Sequence, residues 1–168
     1  GSLAQMNPPI RSLKHQLGLW KGISNETVDV IGSDHAPHTI EEKKNLWPNS
    51  PSGMPGVQTT LSVMLNHVNN KKLILKKLIK LLSENPCKIY NIKNKGFIKK
   101  GYDADLTVID LNKEIIVKNE DIVSKSQWSP YNGMTLKGSP FATIINGSIK
   151  MIDGKIIDKP NGKTIEFN

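Results

Sequence analysis

The sequence predicts an α/β chain in two parts. Residues 3–92 read as strand, helix and loop, and residues 93–168 as a smaller β region. Three observations predict this. Residues 12–21 place Leu13, Leu17 and Trp20 on one helical face, and residues 28–33 follow as a β-branched run ending at a glycine. A strand–helix–strand order of this kind implies a parallel sheet. From Gly96 onward, short apolar runs alternate with glycine turns, and Asn146-Gly147 and Asp153-Gly154 are hairpin signals.

Each element has its own justification. Residues 4–11 form a loop, because Pro8-Pro9 forbids a continuing helix and pushes Asn7 towards extended backbone. Ser12 is a candidate N-cap for the first helix, which Gly22 and Asn25 end. Residues 28–33 read as a buried strand. Residues 39–51 read as a loop with a polar turn at Glu41-Glu42-Lys43-Lys44, and residues 52–56 as a Gly/Pro-rich loop whose value lies in its backbone. Leu61, Met64, Leu65 and Val68 give residues 57–68 a helical apolar face, with Met64 in the core and His67 on the surface. Residues 73–92 are helical again through Leu75, Leu78, Ile79 and Leu82. Asn85-Pro86 breaks them into two helices. The β region holds runs at 97–98, 106–109, 115–117, 143–145, 149–152 and 155–157.

Composition excludes several classes of function. No apolar run approaches the length of a membrane span, and the first residues lack the charged and apolar stretches of a signal peptide. The single Cys87 forms no internal disulfide and fits a reducing, cytoplasmic setting as a small buried residue. The net charge of +8 invites a nucleic-acid reading, but Arg11 is the only arginine and no aromatic residues interleave with the lysines. Lysines at 71–72, 76–77 and 80 read as solvated helix faces. The expectation is no nucleic acid and no membrane partner.

The chemistry gathers at Ser33-Asp34-His35-Ala36-Pro37-His38. An acid and two imidazoles arrive within five residues of a strand end, where α/β barrels hold their reactive groups. A carboxylate there can bind a metal, move a proton, or do both. An aspartate after a strand is often only a turn residue. Here Pro37 stiffens the backbone between several polar heads.

Five segments occur in one order: Met6-Asn7-Pro8-Pro9-Ile10-Arg11, Ser33-Asp34-His35-Ala36-Pro37-His38-Thr39, Pro51-Ser52-Gly53-Met54-Pro55-Gly56-Val57-Gln58-Thr59, Asn85-Pro86, and Lys100-Gly101-Tyr102-Asp103-Ala104-Asp105-Leu106-Thr107. In these the chain resembles the cyclic amidohydrolases, and among them the dihydroorotases. The resemblance implies the C-terminal portion of a (β/α)8 amidohydrolase barrel followed by a small β-sandwich region, with the barrel's last strands and helices in 3–92 and the sandwich in 93–168. It implies zinc-dependent, reversible hydrolysis of dihydroorotate to N-carbamoyl-aspartate in pyrimidine synthesis. Asp34 would be a metal ligand and the proton-shuttling carboxylate. Asn7 and His38 would bind the substrate, and Pro55 and Gly56 would offer it backbone hydrogen bonds. Ile10 stands for the usual leucine. His35 reads as loop structure, Asp103 and Asp105 as turn residues, and Trp128-Ser129-Pro130-Tyr131 as similar to a segment of the family's β region.

The family's other metal ligands are a His-x-His pair, a carboxylated lysine or equivalent acid, and further histidines. None of these has a counterpart here, and zinc takes about four ligands. The usual substrate-carboxylate arginine is also missing. The chain is therefore expected to be inactive alone and to belong to a larger assembly that supplies the N-terminal half of the barrel, with a homo-oligomer possible. A hydantoinase or allantoinase, a non-catalytic amidohydrolase-like scaffold, and a basic binding module are the competing readings.

Overall fold

The computed structural model describes residues 1–168. Helix α1 (Leu13–Ser24) starts after Ser12, whose extended backbone makes it the N-cap, and ends at Asn25. Its C-terminus is closed from outside. Lys77 Nζ donates to the carbonyls of Ile23 at 3.2 Å and Ser24 at 2.8 Å, a cation at the negative end of a helix. Lys77 is thus a half-buried cap rather than part of a solvated face. Of the predicted apolar face only Trp20 is packed; Leu13 and Leu17 stay exposed.

Residues 28–33, read from the sequence as a strand of a parallel sheet, are extended and pair with no strand within this chain. The parallel pairing left in the chain is a single bridge between His35 and Met54. A strand needs a neighbour, and no second parallel strand lies within these residues. A helix holds the segment instead. Helix α4 (Leu75–Ile79) runs through a π-helical turn (Lys80–Glu84) into α5 (Asn85–Ile89), so the expected break at Asn85-Pro86 does not occur. The widened turn accommodates the proline. It sends the Asn85 N–H to the carbonyl of Lys80. The next amide in that register belongs to Pro86 and carries no proton. The Leu81 carbonyl is left free and accepts the Ile31 N–H at 3.1 Å, while Asn85 Nδ2 donates to Asp29 O at 2.8 Å.

Residues 39–51 are not wholly loop. They contain a short helix, α2 (Ile40–Lys43), closed by a capping box in which Thr39 and Glu42 each bond the other's backbone N–H. Helix α3 (Thr60–Asn69) begins later than the apolar spacing suggests, after a turn in which the Gly56 carbonyl accepts the Thr59 and Thr60 N–H groups at 3.1 and 3.0 Å. Leu65, Leu73 and Leu78 form the centre of the core, with Leu61, Met64, Val68, Leu75, Leu82, Ile109 and Leu111 packed around it. His67, expected on the surface, is half-buried with its ring edge-on to Trp20, centroids 4.8 Å apart. Burial, then the nearby Lys72, holds its imidazole below the usual range.

The β region is one antiparallel sheet in the order β1 (Leu106–Ile116), β2 (Thr135–Ile145), β3 (Ser148–Ile152), β4 (Lys155–Ile156). Within this chain the β region is a single layer. The runs at 106–109 and 115–117 are two ends of β1, joined across a bulge that the Asp110 carboxylate closes by accepting the Asn112 and Lys113 N–H groups at 2.8 and 3.1 Å. Pro140 sits opposite Ile109 at a register shift, where a missing ladder donor is tolerated. Asn146-Gly147 and Asp153-Gly154 both have positive φ and make the two-residue hairpin turns. Phe97 and Ile98 lie outside the sheet.

The sheet packs on α3 at Gly138. Asn69 Nδ2 reaches the carbonyls of Leu111 at 3.0 Å and Lys137 at 2.8 Å. A groove of about 880 Å³ between the helices and β1, lined by Leu61, Leu75, Ile79, Leu82, Phe97 and Ile109 among others, opens to one side. No helix is long and apolar enough to cross a membrane.

Gly138 has φ 101°, and a Cβ there would lie 2.7 Å from the Leu65 Cβ. Gly138→Ala therefore combines a strained backbone with overpacking, at a cost of about 1–3 kcal/mol or more. A matching fall in the midpoint of chemical denaturation is the expected outcome.

Candidate active site

Asp34 follows the extended segment directly. Its backbone turns into the left-handed region at φ 42°, which aspartate tolerates better than most residues, and its carboxylate is exposed with no hydrogen bond to the chain. The segment before it is fixed by the Leu81 carbonyl and the Asn85 amide, so the aspartate leaves a held segment.

His35 joins the motif to the Gly/Pro-rich loop. Its Nδ1 accepts the N–H groups of Gly56 at 3.0 Å and Val57 at 3.4 Å, which places the ring proton on Nε2. The Ala36 N–H donates to the Met54 carbonyl at 3.2 Å. A Cβ on Gly53 (φ 133°) would fall 2.7 Å from both the Cβ and the carbonyl oxygen of Ala36, so only glycine allows the two loops to lie this close. Gly56 has its N–H on His35 and its carbonyl on the start of α3. Of the two loop residues read as substrate contacts, Pro55 alone keeps a carbonyl that no donor in the chain meets.

His38 is half-buried, with Nδ1 3.7 Å from Glu42 Oε2. Its carbonyl accepts the indole N–H of the buried Trp128 at 2.7 Å, a bond spanning 90 residues. Gln58 makes a second tie to the same part of the β region: its Nε2 donates to Asp121 O at 2.7 Å, and its Oε1 accepts the Val123 N–H at 3.0 Å. The Thr39 N–H, then the Thr39 hydroxyl and the His38 ring, hold the Glu42 carboxyl below its ordinary value.

Asn7 is exposed, and its side-chain amide is free of partners within the chain. It lines a shallow groove with Pro9, Ile10, Trp47 and Ser52. Its loop is tied to the Gly/Pro-rich loop two residues earlier, where Gln5 O accepts the Gly53 N–H at 2.9 Å and Gln5 Nε2 donates to Ser50 O at 2.7 Å. The loops of Asn7, of Asp34 and His38, and of Pro55 and Gly56 are thus laced together by direct hydrogen bonds. The largest cavity holds none of these residues. The chemistry of the side chains, not cavity size, marks the site. No site role for Gln5, Lys43, Asn85 or Trp128 is legible in the local sequence, because each acts through main-chain atoms distant in the chain.

The resemblance implies zinc, and the donor set here falls short of it. No group of three or more His, Cys, Asp or Glu side chains could hold an ion. Asp34 offers one carboxylate where zinc takes about four ligands, so these residues alone do not fit the metal.

A family model described as "Amidohydrolase family" matches residues 10–150. The chain belongs to the amidohydrolase family. Within the family it is 39% identical over 163 residues to a dihydroorotase of Pyrococcus furiosus, covering 97% of this chain and 38% of that protein. It is 44% identical over 157 residues to a dihydroorotase of Methanosphaera stadtmanae, covering 93% and 36%. Among solved amidohydrolase structures, the L-hydantoinase of Arthrobacter aurescens superposes with a TM-score of 0.87 at 33% identity, covering 95% of this chain and 36% of that one. The chain spans little more than a third of the length of these relatives, and its α/β fold is theirs over that span.

Two outcomes follow from the geometry. Trp128→Phe keeps the buried ring but strands the His38 carbonyl, costing about 1–3 kcal/mol of stability in a denaturation measurement. The Thr39–Glu42 cap involves a carboxyl whose folded value is lowered, so its stabilisation is complete above the ordinary value of 4.5 and is lost as pH falls through the lowered one. Amide exchange at Thr39 and Glu42, referred to an α3 amide, should quicken accordingly between pH 7 and pH 3.

Proposed function

We propose that this chain carries the catalytic carboxylate and the substrate-holding loops of a dihydroorotase, the reversible hydrolase that opens the cyclic amide of dihydroorotate to N-carbamoyl-aspartate. The observation that carries the reading is the lacing of the Asn7, Asp34–His38 and Pro55–Gly56 loops into one unit. The identity to dihydroorotases over nearly the whole chain supports it.

In this reading water adds to the ring carbonyl carbon, and the C–N bond breaks. Asp34 accepts the proton that the attacking water loses and delivers it to the leaving nitrogen, so one carboxylate serves as base and then as acid. Its exposed, unbonded head is free to meet both atoms. The Asn7 amide and the His38 ring take the substrate carboxylate. The Pro55 carbonyl accepts a ring N–H, and Gly56 secures that loop by giving its own N–H to His35. Asp34 would also be one ligand of the family's metal, with its fellow ligands in the remainder of the barrel. The barrel's last strand is residues 28–33, which gains strand neighbours from that remainder, and the four-stranded sheet is one layer of the β-sandwich. The open apolar groove and the bare face of α1 are the surfaces that the rest of the protein covers. The intact protein works in the cytoplasm, as a homo-oligomer.

A hydantoinase is the second reading, favoured by the likeness to the L-hydantoinase structure. Competition between dihydroorotate and hydantoin in the intact, zinc-loaded protein separates the two, and preferred turnover of hydantoin would replace the dihydroorotase reading.

Asp34→Asn in the intact protein should lower kcat by about 10²–10⁴, with the melting temperature little changed. Residues 1–168 alone should turn over no dihydroorotate at any zinc concentration. Undiminished turnover by the Asp34→Asn protein would remove the carboxylate from the mechanism.

A further inference from the structure

Lys43 is the last residue of α2, four positions after the motif's Thr39. It is fully buried, at 0% exposure, more deeply than any other charged side chain. Its Nζ donates to Gln5 O at 3.1 Å and to Pro51 O at 2.8 Å. No carboxylate lies within ion-pair reach of it. Burial alone acts on the ammonium, drawing its pKa below the ordinary lysine range.

A buried cation without an anion is a costly way to fill space. An apolar side chain of the same length would pack there without desolvating a charge, and such replacements are often neutral or stabilising. The arrangement therefore calls for an explanation other than stability, and its partners supply one. Gln5 stands two residues before Asn7, and Pro51 four before Pro55. The Gln5 carbonyl also accepts the Gly53 N–H at 2.9 Å, so one oxygen gathers a donor from each side. The lysine backbone continues directly from the His38 segment. Charge-assisted bonds to carbonyls are stronger than neutral ones, and an ammonium on a four-carbon stem reaches both loops from beneath.

We propose that Lys43 is a positioning residue whose buried ammonium clamps the Asn7 loop and the Pro55–Gly56 loop at a fixed separation, so that both meet the same substrate. The kinetic part of this proposal rests on the dihydroorotase reading; the structural part does not.

The test uses the intact, zinc-loaded protein with Lys43→Met, which keeps the stem and removes the donors, and Lys43→Gln, which keeps a neutral donor. For Lys43→Met, kcat/KM for dihydroorotate should fall about 10- to 100-fold, carried mainly by KM. Lys43→Gln should fall between Met and wild type. Hydrogen exchange should quicken in residues 4–10 and 50–56 while α3 keeps its protection, a selectivity that a general loss of stability does not produce. Unchanged KM together with unchanged exchange in both loops overturns the clamp. A wild-type protein that turns over hydantoin or nothing overturns the dihydroorotase reading, and the exchange measurement then decides the clamp alone. Should neither variant fold, reductive methylation of the wild-type protein decides it. Lys43 is expected to resist labelling under conditions that modify its exposed neighbour Lys44, and equal labelling of the two overturns the proposal.

Discussion

The proton that Pro86 lacks is the constraint on which the site's placement depends. In an unbroken α-helix the Leu81 carbonyl would be spent on Asn85. The proline forces a π turn, Asn85 bonds Lys80, and the Leu81 oxygen is released. It takes the Ile31 N–H, and the Asn85 side chain takes the Asp29 carbonyl. An extended segment with no sheet partner in the chain is thereby given two fixed points shortly before Asp34. A residue that reads as a helix breaker thus serves to anchor an extended segment.

The site is held by main-chain atoms rather than by ion pairs. His35 receives the Gly56 amide, Gln5 receives the Gly53 amide, and Trp128 donates to the His38 carbonyl. Such bonds fix where the loops lie and leave Asp34 and Asn7 unengaged. The basic composition finds part of its use here. Lys77 closes α1, Lys43 lies beneath the loops, and the buried Lys150 joins Asp158 and the Lys159 carbonyl at the end of the sheet. These three lysines spend their charge on acceptors within the chain.

What the sequence made legible was local. The Asn-Gly and Asp-Gly pairs became hairpin turns because positive φ at both positions is cheap for these residues. The leucines at helical spacing between residues 61 and 82 became the core, whereas Leu13 and Leu17 of the first helix stayed exposed. The reactive motif was visible because its acid and imidazoles are adjacent in the chain. What escaped was non-local. Residues 28–33 look like a strand, but pairing belongs to neighbours and not to propensity. The Glu41-Glu42-Lys43-Lys44 run looks solvated, yet its third member is buried, because two carbonyls from remote loops converge on it. The Trp128–His38 bond links residues that no window of periodicity contains together.

That bond has a meaning for how such proteins can be recombined. The boundary that the sequence suggests near residue 92 invites cutting: helices and the Asp34 motif on one side, antiparallel sheet on the other. Yet the indole beneath His38 comes from the far side of the cut, and so do the backbone groups that Gln58 engages. A chimera joined at residue 92 would inherit its aspartate from one parent and the seat of its histidine from the other. The sheet thus carries part of the footing of the candidate site, and moving it between proteins would move that footing with it.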